Sequence, residues 1–224
     1  MRFRPLLLLL AALPSGVWAN TDQPGAPLIA VDRAFAAAAH STGEWTAFRN
    51  FAASHAEMFV PQRVKLSEFG KDRNDPAVAT RWSPAQAWIS CDGTAGLTFG
   101  RWHVPGSRQR GWYEAVWAQV NGGGYKLLLR RGGAQPRQLL AKPGIRGARS
   151  ACSGKPGLPI SAPAEGTDLK FGASRDQTLI WSSAVDRAGA VTITAAQWDG
   201  KRHVPVLIDT APPANTRPAN ARPI

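Results

Sequence analysis

The sequence predicts an α+β protein, because helical and strand patterns occupy separate stretches of the chain instead of alternating. Two amphipathic helices come first, between residues 28 and 52, and four strands in meander order follow between residues 85 and 132. Further strand-like segments lie between residues 168 and 209. We therefore expect helices packed on an antiparallel sheet, followed by a small C-terminal β extension.

Residues 1–19 have the layout of a secretory signal peptide. Arg2 and Arg4 precede a short leucine run, and small residues around Trp18 offer a cleavage point after Ala19. The apolar run is shorter than the roughly 20 residues that a membrane helix needs. We expect a periplasmic or secreted protein with no membrane span.

The first two elements of the exported chain are predicted to be helices joined by Gly43. Ser41 and Glu44 match the capping-box pattern at the start of the second helix. In the first helix, Asp32 and Arg33 are expected to face away from the apolar stripe. The apolar residues at helical spacing are Leu28, Val31, Phe35 and Ala38 in the first helix and Trp45, Phe48 and Ala52 in the second.

Strand patterns follow a short mixed region. "EMFVPQRV" predicts a short strand that ends at Pro61, and "KLSEFGKD" predicts one or two helical turns. Turns are predicted at Asp92–Gly93 and from residue 121 to residue 124. Aromatic and β-branched residues are typical of strands, and the four predicted strands are "AQAWISCD", "AGLTFGRWHV", "GWYEAVWAQV" and "GYKLLLRRG".

The second half of the chain predicts a different organisation. Residues 136–167 combine many prolines and glycines, which indicates an irregular linker. Residues 168–209 predict a three-stranded β extension, and residues 210–224 lack apolar periodicity, which is typical of a disordered tail. With residues 20–135 as the main domain, the chain divides into signal peptide, domain, linker, extension and tail.

The first domain resembles a known superfamily. The "DRAFA" and "GEWTAF" segments open it, and "GWYEAVWAQVNGGGYKLLLRRGG" closes it. Over residues 26–135 this order is similar to the cone-shaped α+β domains of nuclear transport factor 2, ketosteroid isomerase, scytalone dehydratase and the SnoaL-like polyketide cyclases, especially exported bacterial members of unassigned function. The resemblance implies a curved antiparallel sheet around long helices, a cone that can hold a ligand, and a homodimer.

The chain departs from this superfamily at the positions where relatives often carry an acid. Ser54 and His55 stand just before the strand near Met58, and Arg130 stands near the end of the last strand of the meander. An isomerase that removes a proton from carbon needs a well-placed base. The resemblance therefore does not name a function, since one fold hosts many activities.

Arg130 and Arg131 are the candidate ligand-binding cations. Alternation along a strand points them to opposite faces, so at most one can enter the cone. That arginine would bind a carboxylate or phosphate while aromatic rings hold an apolar body. The alternative is that both side chains lie in water at the strand end. The candidate ligand-binding residues are Trp45, Phe59, Trp102, Tyr113, Trp117, Arg130 and Arg131.

Four side chains are candidates for acid or base catalysis. Glu114 lies between aromatic residues, and Glu57 precedes the strand near Met58, so each could work with His55 or His103. Ordinary surface alternation explains both glutamates equally well.

The two cysteines, Cys91 and Cys152, predict one disulfide, since an exported chain meets an oxidising compartment. A catalytic thiol is the alternative, but no histidine pattern accompanies either cysteine. The histidines are scattered, and we see no phosphate loop, so no metal and no cofactor are expected. The formal charge of +12 is spread along the chain, and no nucleic-acid-binding motif accompanies it.

Three functional hypotheses follow. The first is an exported, non-catalytic binding module for a small, partly apolar ligand, either anionic or neutral. The second is an enzyme of the isomerase, dehydratase or cyclase type that uses an acid or base in the pocket. The third is a structural protein whose basic surface associates with the anionic cell envelope.

Overall fold

Two β-sheets form most of the chain in the computed structural model, which describes residues 23–120, 123–134, 146–159 and 163–213. The predicted signal peptide, the start of the turn at residue 121 and residues 214–224 of the predicted tail lie outside these ranges. The cysteines are joined as predicted, in a disulfide between Cys91 and Cys152.

The larger sheet has seven strands in the order β2-β1-β6-β5-β4-β3-β7. β3 to β6 are the predicted meander and pair antiparallel, whereas β1 pairs parallel with β6 and β7 pairs parallel with β3. The strands are β1 (Ala52–Phe59), β2 (Arg63–Lys65), β3 (Arg81–Ile89), β4 (Ala95–His103), β5 (Arg110–Gln119), β6 (Tyr125–Gly133) and β7 (Arg146–Arg149).

The smaller sheet is an antiparallel meander of four strands in the order β11-β10-β9-β8. The sequence predicts only three strands here, because the first strand, "DLKFGA", has exposed charged residues in half of its first four positions. The strands are β8 (Asp168–Ala173), β9 (Leu179–Val185), β10 (Val191–Trp198) and β11 (His203–Ala211).

The predicted fold class, helices packed on a curved antiparallel sheet, is wrong. The described chain is mostly β, with a mixed seven-stranded sheet, a second sheet of four strands and three short helices: α1 (Ala26–Ser41), α2 (Glu44–Phe51) and α3 (Leu66–Phe69). The local sequence does not predict the start of β1 or any part of β7. Residue 52 continues the apolar spacing of the second helix but begins β1, and "RGAR" in the predicted linker becomes β7 by pairing with β3.

α2 begins without the predicted capping box. The Ser41 hydroxyl donates to the carbonyl of Ala38 in its own helix, and Gly43 occupies the N-cap position without a side-chain bond. The carboxylate of Asp75, from the following loop, accepts hydrogen bonds from the backbone N–H groups of Trp45 and Thr46 and from the Thr46 hydroxyl. A remote aspartate therefore satisfies donors that the first turn of a helix leaves without partners.

The two sheets pack face to face through a shared apolar cluster. Phe99, Trp112 and Leu129 of the larger sheet meet Ile193 and Leu207 of the smaller sheet in this cluster. The opposite face of the larger sheet carries a second cluster with α1 and α2, which includes the buried side chains of Leu28, Phe35, Phe48, Trp82, Tyr113 and Trp117. The larger sheet is therefore covered on both faces.

Two hairpin turns with the same pattern fasten the sheets at one end. Ser-x-Asp-x-Thr occurs at residues 90–94 and again at residues 174–178, and in each turn the aspartate accepts bonds from the serine and threonine hydroxyls. The turns also bond each other, since the N–H of Asp92 donates to Asp176 and the N–H of Asp176 donates to Asp92.

Candidate ligand-binding site at Arg130

Arg130 lies in the middle of the larger sheet, where β6 runs between β1 and β5. It pairs with Met58 on one side and with Ala115 on the other. Alternation along β6 directs its side chain toward α1 and α2, and the residue is 0% exposed. The sequence-based alternative that both arginines lie in water is wrong, because Arg131 is also buried.

Four aromatic rings surround the Arg130 guanidinium. Its carbon atom Cζ lies 4.2 Å from the ring centroid of Tyr113 and 4.6 Å from that of Trp82. Phe35 and Phe48, from α1 and α2, lie at 5.3 and 5.6 Å. Cations within about 6 Å of aromatic centroids are attracted by the ring quadrupoles, so these rings favour a positive charge at this position.

The guanidinium nitrogens nevertheless find no acceptor in the part of the chain that the structure describes. Nε, Nη1 and Nη2 are buried and have no hydrogen-bond partner among the described residues, and Arg130 forms no ion pair with them. A guanidinium has five N–H donors and no acceptor. Leaving buried donors without partners costs about 1 to 3 kcal/mol, and more when the group is charged. Arg130 is thus a buried cation with unused donors.

Asp32 is the acidic residue of the same cluster. It is fully buried on α1, and it accepts hydrogen bonds from Trp82 Nε1 at 3.1 Å and from the Tyr113 hydroxyl at 3.0 Å. Burial raises the pKa of Asp32, and this effect outweighs the lowering by the charge of Arg130 and by hydrogen bonds from Thr98 and the two ring residues. Asp32 is therefore protonated up to a higher pH than an ordinary aspartate.

The other ionisable groups respond to the same burial. Burial lowers the pKa of Arg130 below its usual value, although the charges of Asp32, Tyr113 and Glu44 oppose this. Burial raises the pKa of Tyr113 well above its usual value. The charge of Asp32 and the hydrogen bond that the Tyr113 hydroxyl donates to Asp32 add to this effect. Tyr113 therefore keeps its proton and remains a hydrogen-bond donor.

Arg131 occupies the opposite face of β6, between the two sheets. Its guanidinium pairs with Glu114 of β5 at 3.4 Å and also forms an ion pair with Asp209 of β11. Trp112 lies 5.2 Å from its Cζ atom. Arg131 thus has carboxylate partners from both sheets and joins them.

The structure separates the predicted ligand-binding residues into two groups. Trp102, Tyr113 and Trp117 belong to the cluster around Arg130, with Trp45 packed against it, whereas Phe59 lies on the face of Arg131. The sequence analysis missed Asp32, Phe35, Phe48 and Trp82 as neighbours of Arg130. A signal for Asp32 was present, because Leu28, Asp32, Phe35 and Ala39 recur at one helical spacing and all are buried. The expectation that Asp32 faces away from the apolar stripe is wrong.

The four predicted catalytic residues do not lie together. His55 and His103 are exposed. Glu57 forms ion pairs with Arg63 and Lys170, and Glu114 pairs with Arg131. Among the described residues, no group of three or more His, Cys, Asp or Glu side chains could hold a metal ion.

Comparisons with known proteins identify neither a family nor a function for this chain. No protein family and no curated protein matches this chain. One solved structure, the "putative ketosteroid isomerase from Kribbella flavida DSM 17836", is similar with a TM-score of 0.32 and 13% identity, covering 62% of this chain and 92% of that chain. A likeness with so low a TM-score carries no argument about fold or function. Within the part of the chain that the structure describes, no helix is long and apolar enough to cross a membrane.

Proposed function

We propose that this protein is a non-catalytic binding module for a small, partly apolar ligand that carries an anionic group. Arg130 is the receptor for that group. The observation that carries the proposal is the fully buried guanidinium whose three nitrogens have no hydrogen-bond partner among the described residues. An unpartnered buried charge is strongly unfavourable, and an anion would supply both the counter-charge and the acceptors.

A carboxylate fits this receptor best. A guanidinium binds a carboxylate through two parallel hydrogen bonds, and the rings of Phe35, Phe48, Trp82 and Tyr113 would hold an apolar body. The raised pKa of Asp32 makes its protonation easier, and a protonated Asp32 would not repel a bound anion. An aromatic monocarboxylate is the simplest compound with both properties.

Export is the second part of the proposal. The disulfide between Cys91 and Cys152 supports an oxidising compartment, and the layout of residues 1–19 supports passage through the secretory route. We propose a periplasmic or secreted location. The homodimer and the lack of a nucleic-acid partner stay predictions from the sequence.

A second candidate function is acid or base catalysis by Asp32. The observation that favours it is the raised pKa of a buried carboxyl group beside a hydroxyl donor, Tyr113. Both oxygens of Asp32 already accept hydrogen bonds, one from Trp82 and one from Tyr113. This occupancy favours the binding module over the enzyme.

Thermal unfolding of the oxidised mature protein tests the proposal. A panel of aromatic carboxylates, matched neutral amides and sugars is added at low and high salt to the wild type, to Arg130→Met and to Arg101→Met, an exposed arginine on β4. A ligand at 100 times its dissociation constant adds about 2.7 kcal/mol. We expect a carboxylate-specific rise in midpoint that resists salt, persists in Arg101→Met and is lost in Arg130→Met.

The alternatives give different results. No shift with any carboxylate, or an equal shift in Arg130→Met, contradicts the binding module. Turnover of a bound carboxylate that Asp32→Asn abolishes supports the enzyme instead. Binding to anionic polymer that salt removes, without any small-molecule shift, supports association with the cell envelope.

A further inference from the structure

A cleft of about 350 Å³ lies between the two sheets, where β1 and β6 face β8 and β9. Its principal lining residues are His55, Glu57 and Leu129 from the larger sheet and Lys170, Trp181 and Ser183 from the smaller sheet. Leu129 belongs to the apolar cluster between the sheets, whereas the Arg130 site lies on the other face of β6. The cleft is therefore separate from the Arg130 site.

Two strands are irregular at the same point of the cleft wall. β1 pairs with β6 at Ala52 and next at Glu57, although the partners on β6 are Leu127 and Leu129. The pairing of β6 with β5 also shifts there, so that Leu128 is the extra residue of β6. Such bulges re-aim side chains and occur often beside functional sites. Here both His55 and Leu128 line the cleft.

Gly172 makes room for an aromatic side chain in the wall of the cleft. Gly172 of β8 pairs directly with Trp181 of β9. A Cβ atom on Gly172 would lie 2.4 Å from ring atoms of Trp181, far closer than any real contact. The missing side chain lets the indole lie against the backbone of β8 while it stays half-buried at the cleft.

Charged side chains of both signs lie at the cleft. The Glu57 carboxylate pairs with the ammonium of Lys170, whose side chain is 51% exposed, and with the guanidinium of Arg63 at 3.5 Å. Arg63 also pairs with Asp168, so two carboxylates balance two cations beside the cleft. A ligand therefore meets a carboxylate acceptor and an ammonium donor side by side, which favours a neutral polar group over a net anion. The volume lies at the lower end of small-molecule sites, roughly 300 to 1,000 Å³, and suits a single ring.

We propose that this cleft binds a neutral polyhydroxylated ring of monosaccharide size. The apolar face of the ring would pack on Trp181, since indoles offer a large flat apolar surface. Its hydroxyl groups would donate to Glu57 and accept from Lys170, with Ser183 within the same wall. The proposal does not depend on the ligand of Arg130.

Protein-observed NMR with glucose and N-acetylglucosamine tests this proposal. The indole N–H signal of Trp181 is assigned by its loss in Trp181→Phe. In the wild type we expect that signal to shift saturably. Glu57→Gln should weaken binding about tenfold, which corresponds to about 1.4 kcal/mol. Glu68→Gln, which removes an exposed carboxylate paired with Lys65, should bind like the wild type, and so should Arg130→Met.

Three outcomes overturn the proposal. The first is no saturable shift with either sugar at millimolar concentration. The second is sugar binding, followed by other signals of the protein, that is unchanged in both Trp181→Phe and Glu57→Gln, since the sugar then sits elsewhere. The third is a Trp181 signal that shifts with carboxylates but not with sugars. Because Trp181→Phe keeps an aromatic side chain, it provides a folded variant even if Glu57→Gln unfolds the protein.

Discussion

Adjacent residues of the same type have opposite roles on β6. Arg130 has four rings around it and no hydrogen-bond acceptor among the residues that the structure describes, whereas Arg131 pairs with Glu114 and Asp209. The difference follows from strand alternation, because neighbouring side chains enter different layers of the protein. We interpret Arg130 as available for a ligand and Arg131 as a structural link.

Substitution of each arginine by methionine separates these roles. Arg130→Met removes a buried charge whose nitrogens have no hydrogen-bond partner among the described residues, and it keeps the apolar volume. The ligand-free protein should therefore unfold at an unchanged free energy or one up to about 2 kcal/mol higher. Arg131→Met removes the guanidinium that pairs with Glu114 and Asp209 and should lower the free energy of unfolding by about 3 to 5 kcal/mol. Urea unfolding of both variants measures this. A large loss of stability in Arg130→Met contradicts our interpretation of that residue.

The raised pKa of Asp32 predicts a pH dependence of stability. Its folded pKa lies above the unfolded value near 3.8, so its neutral form stabilises the fold in acid, and that stabilisation is lost as pH rises through the folded pKa. Asn stays neutral, so the stability of Asp32→Asn relative to the wild type should increase over that pH range.

Urea unfolding at a series of pH values checks the Asp32 prediction. Asp72→Asn, at an exposed position in the loop before β3, controls for the removal of one carboxylate. A constant difference between Asp32→Asn and the wild type at every pH would show that Asp32 keeps an ordinary pKa.

α2 depends on a carboxylate outside the helix. Asp75 is predicted to stabilise it because its oxygens accept two N–H bonds from the first turn. Asp75→Ala should lower the free energy of unfolding by about 1 kcal/mol, as for other lost N-caps, while Asp72→Ala should have little effect. Equal stability of the two variants in urea would mean that these bonds are not maintained in solution.

The pH range of this contribution is opposite to that of Asp32. Burial raises the pKa of Asp75, but hydrogen bonds from Thr46 and Trp45 and the charge of Arg49 together outweigh it, so the pKa lies below the usual value. The stability that Asp75 provides is therefore present above the unfolded value and is lost as pH falls through the folded pKa.

The elements differ in how well their patterns predict them. The prediction of β3 to β6 is correct because aromatic and β-branched runs bounded by turns reflect local preferences. β7 and β8 were missed because pairing with a neighbour, and not local composition, makes "RGAR" and "DLKFGA" strands. Arg130 could be proposed as a candidate because strand alternation is local, whereas its neighbours Phe35 and Trp82 come from distant elements that only the packing joins.

The whole molecule is predicted to unfold as one unit. The cluster between the sheets contains Trp112 and Ile193, Arg131 bonds across it to Asp209, and the turns at Asp92 and Asp176 fasten one end. Far-ultraviolet circular dichroism and tryptophan fluorescence should therefore give one coincident urea transition. Two separate transitions would instead support the division of the chain at residues 136–167, which stays a prediction from the sequence.

The disulfide should contribute to the same transition. Cys91 and Cys152 are 61 residues apart in sequence, so their bond restricts a long loop in the unfolded chain. Cys91→Ser together with Cys152→Ser should lower the free energy of unfolding by about 2 to 4 kcal/mol. We expect the transition to move to lower urea concentration and to remain single.

We propose that Arg130 binds the anionic group of a ligand inside the cluster of Phe35, Phe48, Trp82 and Tyr113. The most direct measurement is NMR observation of the Arg130 Nε–H signal, assigned by its loss in Arg130→Met, during titration with benzoate and with benzamide. We predict that the Arg130 Nε–H signal shifts saturably with benzoate and does not shift with benzamide. An Nε–H signal that benzoate leaves unmoved at saturating concentration, or moves no more than benzamide does, would contradict it.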